Sequence, residues 1–169
     1  MLLKKLKAVS YVEVILVLTI IGVVSSMAIP TLKKYTQKQE FAKDAQKAYY
    51  VLNEVVDNAT TIQGPIRKIS ADKVFSDFLK PSFKVNVSGT DYVITKDNMK
   101  FSKYAPATAD SEHIYISADV NGSDKGPNAA GKDIQYFKIK LSDGTVLPEG
   151  DTKILYENNW TYPDELWNK

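Results

Sequence analysis

From residue 8 to residue 32 the chain carries one charged side chain, Glu13, in 25 positions. Directly before this stretch stand Lys4, Lys5 and Lys7, with no acid among them. A basic tip followed by an apolar block is the pattern that export machinery reads, and the basic flank stays on the cytoplasmic side. Everything after residue 32 is therefore expected outside the cytoplasm. Averages taken over the whole chain conceal this. With 169 residues, 44% hydrophobic and 25% charged, and a formal net charge of +2, the chain reads as one ordinary soluble domain. Its 8 Gly, 7 Pro and absence of cysteine exclude collagen-like, disordered and disulfide-stapled classes. The near balance of 22 basic against 20 acidic residues argues against a strongly basic nucleic-acid binder.

Two fates are open to the apolar block. Ser26-Met27-Ala28 offers the small-x-small pattern of an ordinary signal-peptidase site, with the cut after Ala28. As a retained helix, residues 9–29 would span roughly 31 Å at about 1.5 Å per residue, against a hydrocarbon thickness of about 30 Å. Glu13 is the odd residue under either reading. An acid inside an apolar helix costs about 2.5–3.5 kcal/mol on insertion scales and normally marks a function.

The run AVSYVEVILVLTIIGVVSSMAIP resembles the N-terminal signature of type IV pilins and type II secretion pseudopilins. In that family a short basic leader ends before a hydrophobic residue, and a Glu follows as the fifth residue of the mature chain. With Val9 as the first residue, Glu13 is the fifth and Pro30 the twenty-second, where the family carries a helix-bending proline. Ala8 stands where the family favours Gly, and Ser10 and Tyr11 replace the commoner Thr and Leu. The resemblance implies a cut between Ala8 and Val9 by a prepilin peptidase, and methylation of the new Val9 amine. It also implies assembly through Glu13, paired with the N-terminal amine of a neighbouring subunit. On a helix, the Val9 amine would also lie one turn from the Glu13 carboxylate of its own chain. Losing the three leader lysines takes the net charge from +2 to −1.

Beyond the block, Leu32, Tyr35, Ala42, Ala45, Tyr49, Leu52, Val55 or Val56, and Ala59 recur at steps of three, four or seven. This spacing predicts one apolar stripe on a helix packed against a body, with Gly64-Pro65 ending it. Lys33, Lys34, Lys38, Lys43 and Lys47 fall mostly off the stripe, as a solvated face or as a surface for anionic headgroups. A helix over residues 9–58 would be roughly 75 Å long, the length of a protruding stalk. Gly22 and Pro30 are where it can bend. Residues 71–79 have a short helical look ending at Pro81. Residues 83–87, 91–95, 114–118 and 134–141 then alternate, or run β-branched and aromatic, with Ser88-Gly89, Asn121-Gly122 and Asp143-Gly144 as turns. Strands that follow a helix without alternating with it predict an α+β fold, with a long N-terminal helix packed on a small antiparallel sheet. The resemblance implies the same architecture. The expected division is leader 1–8, membrane and assembly helix 9–30, amphipathic helix 31–62 and β-rich body 63–169.

The distal chain is acidic, and residues 119–133 (DVNGSDKGPNAAGKD) supply Asp119, Asn121, Ser123, Asp124, Asn128 and Asp133 as oxygen donors. Calcium takes six to eight such ligands. Asp119, Asn121 and Ser123 keep the first, third and fifth spacing of a calcium loop, but Asp124 and Ala130 then break the EF-hand pattern. The run also resembles a segment recurrent in pilin-like proteins, and in the major pseudopilins calcium orders a C-terminal loop. A loop held by its own side-chain-to-backbone hydrogen bonds uses the same residues. Nothing supports catalysis: no cysteine, HExxH, G-x-S-x-G or phosphate loop occurs, and the single histidine, His113, reads as a strand-edge residue. Trp160, Tyr162 and Trp167 read as a clamp packing the tail on the sheet, or as a sugar- or partner-binding surface.

Taken together, these features predict a pilin or pseudopilin subunit, single-pass in the cytoplasmic membrane with its N-terminus inside before assembly. It would then pass into a periplasmic pseudopilus or a surface pilus. Its expected partners are like subunits, a prepilin peptidase and a membrane assembly-platform protein, with nucleic acid not expected. The rival expectations are a secreted binding protein cut after Ala28, and a minor pilin for DNA uptake or adhesion.

Overall fold

The computed structural model describes residues 10–107, 109–122 and 124–168. They divide into two units, Met1–Gln37 and Lys38–Lys169. Helix α1, Tyr11–Gln63, runs through the first and into the second. Its helical assignment is unbroken across Gly22 and Pro30, the two positions expected to bend it. Gly64, at φ +84°, ends it by turning left-handed, a conformation that costs other residues a Cβ clash.

The second unit is an α+β fold, as expected. Six strands form one antiparallel meander in sequence order: β1 Val85–Ser88, β2 Tyr92–Thr95, β3 Lys100–Tyr104, β4 His113–Asp119, β5 Ile134–Lys140 and β6 Val146–Glu149. The expected strands are all present. β3 and β6 were not foreseen. The KFSKY sequence of β3 carries lysines at its first and fourth positions, which breaks the alternation, and VLPE in β6 contains Pro148, which a sheet tolerates because β6 is an edge strand. Between α1 and β1, the helical look of residues 71–79 becomes one π-helical turn, Val74–Leu79, followed by a 3-10 turn at Lys80–Ser82. Helices α2, Asp151–Glu157, and α3, Asp164–Trp167, complete the chain.

The core lies where the C-terminal half of α1 meets one sheet face. Phe41, Ala42, Ala45, Ala48, Leu52, Val55, Val56 and Ala59 are buried on the helix. Opposite them, Val93, Phe101, Ile116, Phe137 and Ile139 are fully buried on alternate strand positions. The small residues Ala45 and Ala48 let the helix lie close, and the large side chains come from the sheet. A Leu or Phe buried like Leu52 or Phe137 contributes about 1.5–3 kcal/mol. The stripe starts later than its spacing suggested. Leu32 and Tyr35 are 63% and 60% exposed, so the packed part of the helix begins near Phe41. The Asp143-Gly144 turn is closed by Asp143, whose Oδ1 accepts from the Thr145 N–H (2.9 Å) and hydroxyl (2.7 Å). Gly144, at φ +81°, sits so near α1 that a Cβ there would lie 2.9 Å from a Val56 methyl.

Candidate functional site

Four places carry the chemistry foreseen from the residues: the start of α1, the loop after β4, the aromatic tail and the His113 neighbourhood. At the start of α1, Ser10 and Glu13 form a reciprocal cap. The Ser10 N–H donates to Glu13 Oε2 (2.8 Å), and the Glu13 N–H donates to Ser10 Oγ (3.2 Å). Helix N-termini leave N–H groups without intrahelical partners, and a Ser three residues before a Glu satisfies two of them at once. The S-x-x-E spacing is a signal in the sequence that the pairing role assigned to Glu13 had obscured. Ala8 and Val9, the expected cleavage and methylation positions, lie outside the described residues.

From Ser10 to Gln37 every residue except Ser25 is exposed, including Val12, Leu16, Leu18, Met27 and Ile29. This helix is long and apolar enough to cross a membrane. Its hydroxyl residues do not interrupt the apolar surface. Thr19, Thr31 and Thr36 donate to carbonyls four residues back, and Ser26 to Val23 O at 2.7 Å, so these four hydroxyls are satisfied within the helix.

The loop between β4 and β5 is organised by Asp133, which is fully buried. Its Oδ2 accepts from the Asn128 N–H and its Oδ1 from the Ala129 N–H, both at 2.7 Å. Its own carbonyl accepts from the Val120 N–H at 2.8 Å. Asp119 Oδ1 accepts from the Gly122 N–H (2.9 Å), and Asn121 Nδ2 donates to Gly126 O (3.1 Å). Burial pushes the Asp119 carboxyl above its ordinary range, the Gly122 N–H opposes that, and the Asp133 charge adds to it.

Part of this donor set is already used inside the loop. Among the described residues no group of three acidic or histidine side chains suited to a metal forms, although Asp133 lies near enough for its charge to act on Asp119. Both Asp133 oxygens face backbone N–H donors, Asp124 and Asn128 are exposed, and Ser123 lies outside the described residues. Among the described residues one buried side-chain oxygen, Asn121 Oδ1, has no hydrogen-bond partner. The Asp119 and Asp133 carboxylates accept from the loop's own backbone N–H groups.

Below the loop lies a polar network that the residue pattern did not reveal. Thr152 Oγ accepts from the Tyr136 N–H (2.8 Å) and donates to Gln135 Oε1 (3.0 Å). Gln135 Nε2 donates to Lys132 O (2.6 Å), as does the Tyr162 hydroxyl (2.8 Å), whose ionisation burial disfavours. Gln135 and Thr152 are both fully buried, so this network ties the loop's exit, α2 and the tail together.

No family model, no curated protein and no solved structure matches the chain.

The tail clamps the body, against the helix as well as the sheet. Trp167 packs on Phe41 at 6.0 Å between ring centroids, and Tyr162 lies 5.2 Å from Trp167. Trp160 stays half-buried against Tyr49 (5.6 Å) and Tyr156 (5.5 Å). His113 opens β4 with Nδ1 2.7 Å from Asp110 Oδ1, a pairing that holds the Asp110 carboxyl below its usual range, and the Tyr115 hydroxyl donates to the same carboxylate. A groove of about 320 Å³ between α1 and the β1–β2 end has Val51 and Val55 on its floor. Its rim charges are paired, Lys47 with Asp97 and Lys84 with Glu54, each at 2.8 Å.

Proposed function

We propose that the chain is a structural subunit of a type IV pilus or type II secretion pseudopilus, polymerised through its N-terminal helix. The observation that supports it best is a contrast within one helix. From Phe41 onward α1 buries a complete stripe in the body, whereas from Tyr11 to Leu32 it presents apolar side chains all round and none is buried. A helix apolar on every side needs lipid or other helices as its surroundings. A filament subunit uses both in turn, lipid before assembly and neighbouring helices after it. The N-terminal signature with Glu13 as fifth residue from Val9 points the same way. In this reading the leader is removed after Ala8, Val9 is methylated, and the α+β body lies outside the cytoplasmic membrane.

The mature N-terminal mass tests it. A chain beginning at methylated Val9 when a prepilin peptidase is present, and at Met1 when it is absent, is the expected result. A mature chain beginning at Ile29 in both backgrounds would replace the reading with a conventionally secreted protein.

A further inference from the structure

We propose that Asn159 is an acceptor for an N-linked glycan, added on the exported side of the membrane. Four of the nine asparagines stand in the Asn-x-Ser/Thr pattern: Asn58-Ala59-Thr60, Asn86-Val87-Ser88, Asn121-Gly122-Ser123 and Asn159-Trp160-Thr161. The pattern alone selects none of them. A transferring enzyme must reach the asparagine amide and the hydroxyl two residues on together, which calls for exposed backbone that can bend around both. Asn58 lies inside α1, where residues two apart point about 200° from each other. Asn86 lies in β1, whose backbone is held in the ladder with β2. The Asn121 amide is occupied by Gly126 O.

Asn159 lies outside both helix and strand, on a segment whose backbone is already sharply bent. It follows α2 in a turn where the Asn159 N–H donates to Tyr156 O, the Trp160 N–H to Leu155 O and the Thr161 N–H to Asn158 O. Asn159 and Trp160 both have left-handed backbones, φ +51° and +55°. Asparagine tolerates this conformation, but for a tryptophan it is strained. The strained residue is held by its ring packing on Tyr49 and Tyr156. Asn159 and Thr161 are exposed, and neither side chain makes a hydrogen bond with a described residue.

The donor implied is an oligosaccharide on a polyprenyl pyrophosphate. Asn159 Nδ2 forms a bond to the anomeric carbon, the carbon–oxygen bond to pyrophosphate breaks with its electron pair leaving on the pyrophosphate, and the amide gives up one proton. The inference rests on export of the body and is independent of polymerisation.

The test is a tryptic digest of the chain recovered from the cells that natively make it. Cleavage after Lys153 gives a peptide covering 154–169, which contains this pattern alone. A mass increment of sugar residues on that peptide, lost completely in Asn159→Gln and in Thr161→Val, is the expected result. An unmodified peptide, or an increment that survives Thr161→Val, overturns the proposal. Both variants alter exposed side chains, and the readout is a mass that does not require a folded variant. The N-terminal peptide of the same digest reports separately on processing at Val9, so the two readings fail independently.

Discussion

At the scale of single residues, Glu13 and Asp133 show how one side-chain type does different work in different surroundings. Glu13 caps its own helix, and by the proposed function it also pairs with an amine across subunits. Glutamine serves a capping box as well as glutamate does but carries no charge. Glu13→Gln therefore separates the two roles: charge pairing predicts that Gln and Ala variants both lose filament assembly while still inserting, scored by sheared-filament yield. Wild-type filament levels from Glu13→Gln would leave the residue as a cap only. In the distal loop, Asp133→Asn removes one of two acceptors, on a fully buried side chain, for the Asn128 and Ala129 N–H groups and should cost about 1–3 kcal/mol in denaturant unfolding. Asp119 has the opposite sign. Its folded pKa is raised, so its contribution is full below the unfolded value near 3.8 and is lost as pH rises through the folded value. Asp119→Asn keeps an acceptor for the Gly122 N–H, and its stability at pH 7 should match or exceed wild type, with a flatter pH dependence. Millimolar calcium should leave the melting temperature of both wild type and this variant unchanged. A calcium-dependent rise in wild type that Asp119→Asn abolishes would restore the ion.

At the scale of elements, periodicity was readable wherever a residue's neighbours in sequence decide its environment. The buried stripe of α1 from Ala42 to Ala59 and the alternation of β5, with Gln135, Phe137 and Ile139 inward, follow from spacing alone. Elements whose stability comes from distant partners were not readable. β6 is held by its pairing with β5, and α2 by the fully buried Thr152, which bridges Gln135 and the Tyr136 backbone. The loop residues were legible as oxygen donors, but which of those oxygens face backbone N–H groups is a matter of three-dimensional register. Thr152→Val keeps the shape of the side chain and strands two buried polar groups. It should destabilise the body by about 1–3 kcal/mol, measured as a lower denaturant midpoint at constant m. A loss under 0.5 kcal/mol would mean that the network is not an anchor.

At the scale of the whole molecule, a mean hydropathy of −0.25 averages two parts with opposite solvent preferences. The buried hydrophobic residues of the described chain all lie at Phe41 or beyond, so the second unit contains its own core. Its helix keeps a full stripe of eight buried residues after Lys38, and Trp167 still has Phe41 to pack on. A chain starting at Lys38 loses none of these contacts and sheds 15 of the 21 exposed large hydrophobic residues among those described. That chain should be soluble without detergent, unfold in one cooperative transition, and match the stability of the full-length body to within about 1 kcal/mol. The full chain should partition into membranes under the same conditions. Aggregation of the truncated chain, or non-cooperative melting, would mean that residues before Lys38 contribute to folding the body. In that case the apolar helix could not be assigned wholly to lipid and neighbouring subunits.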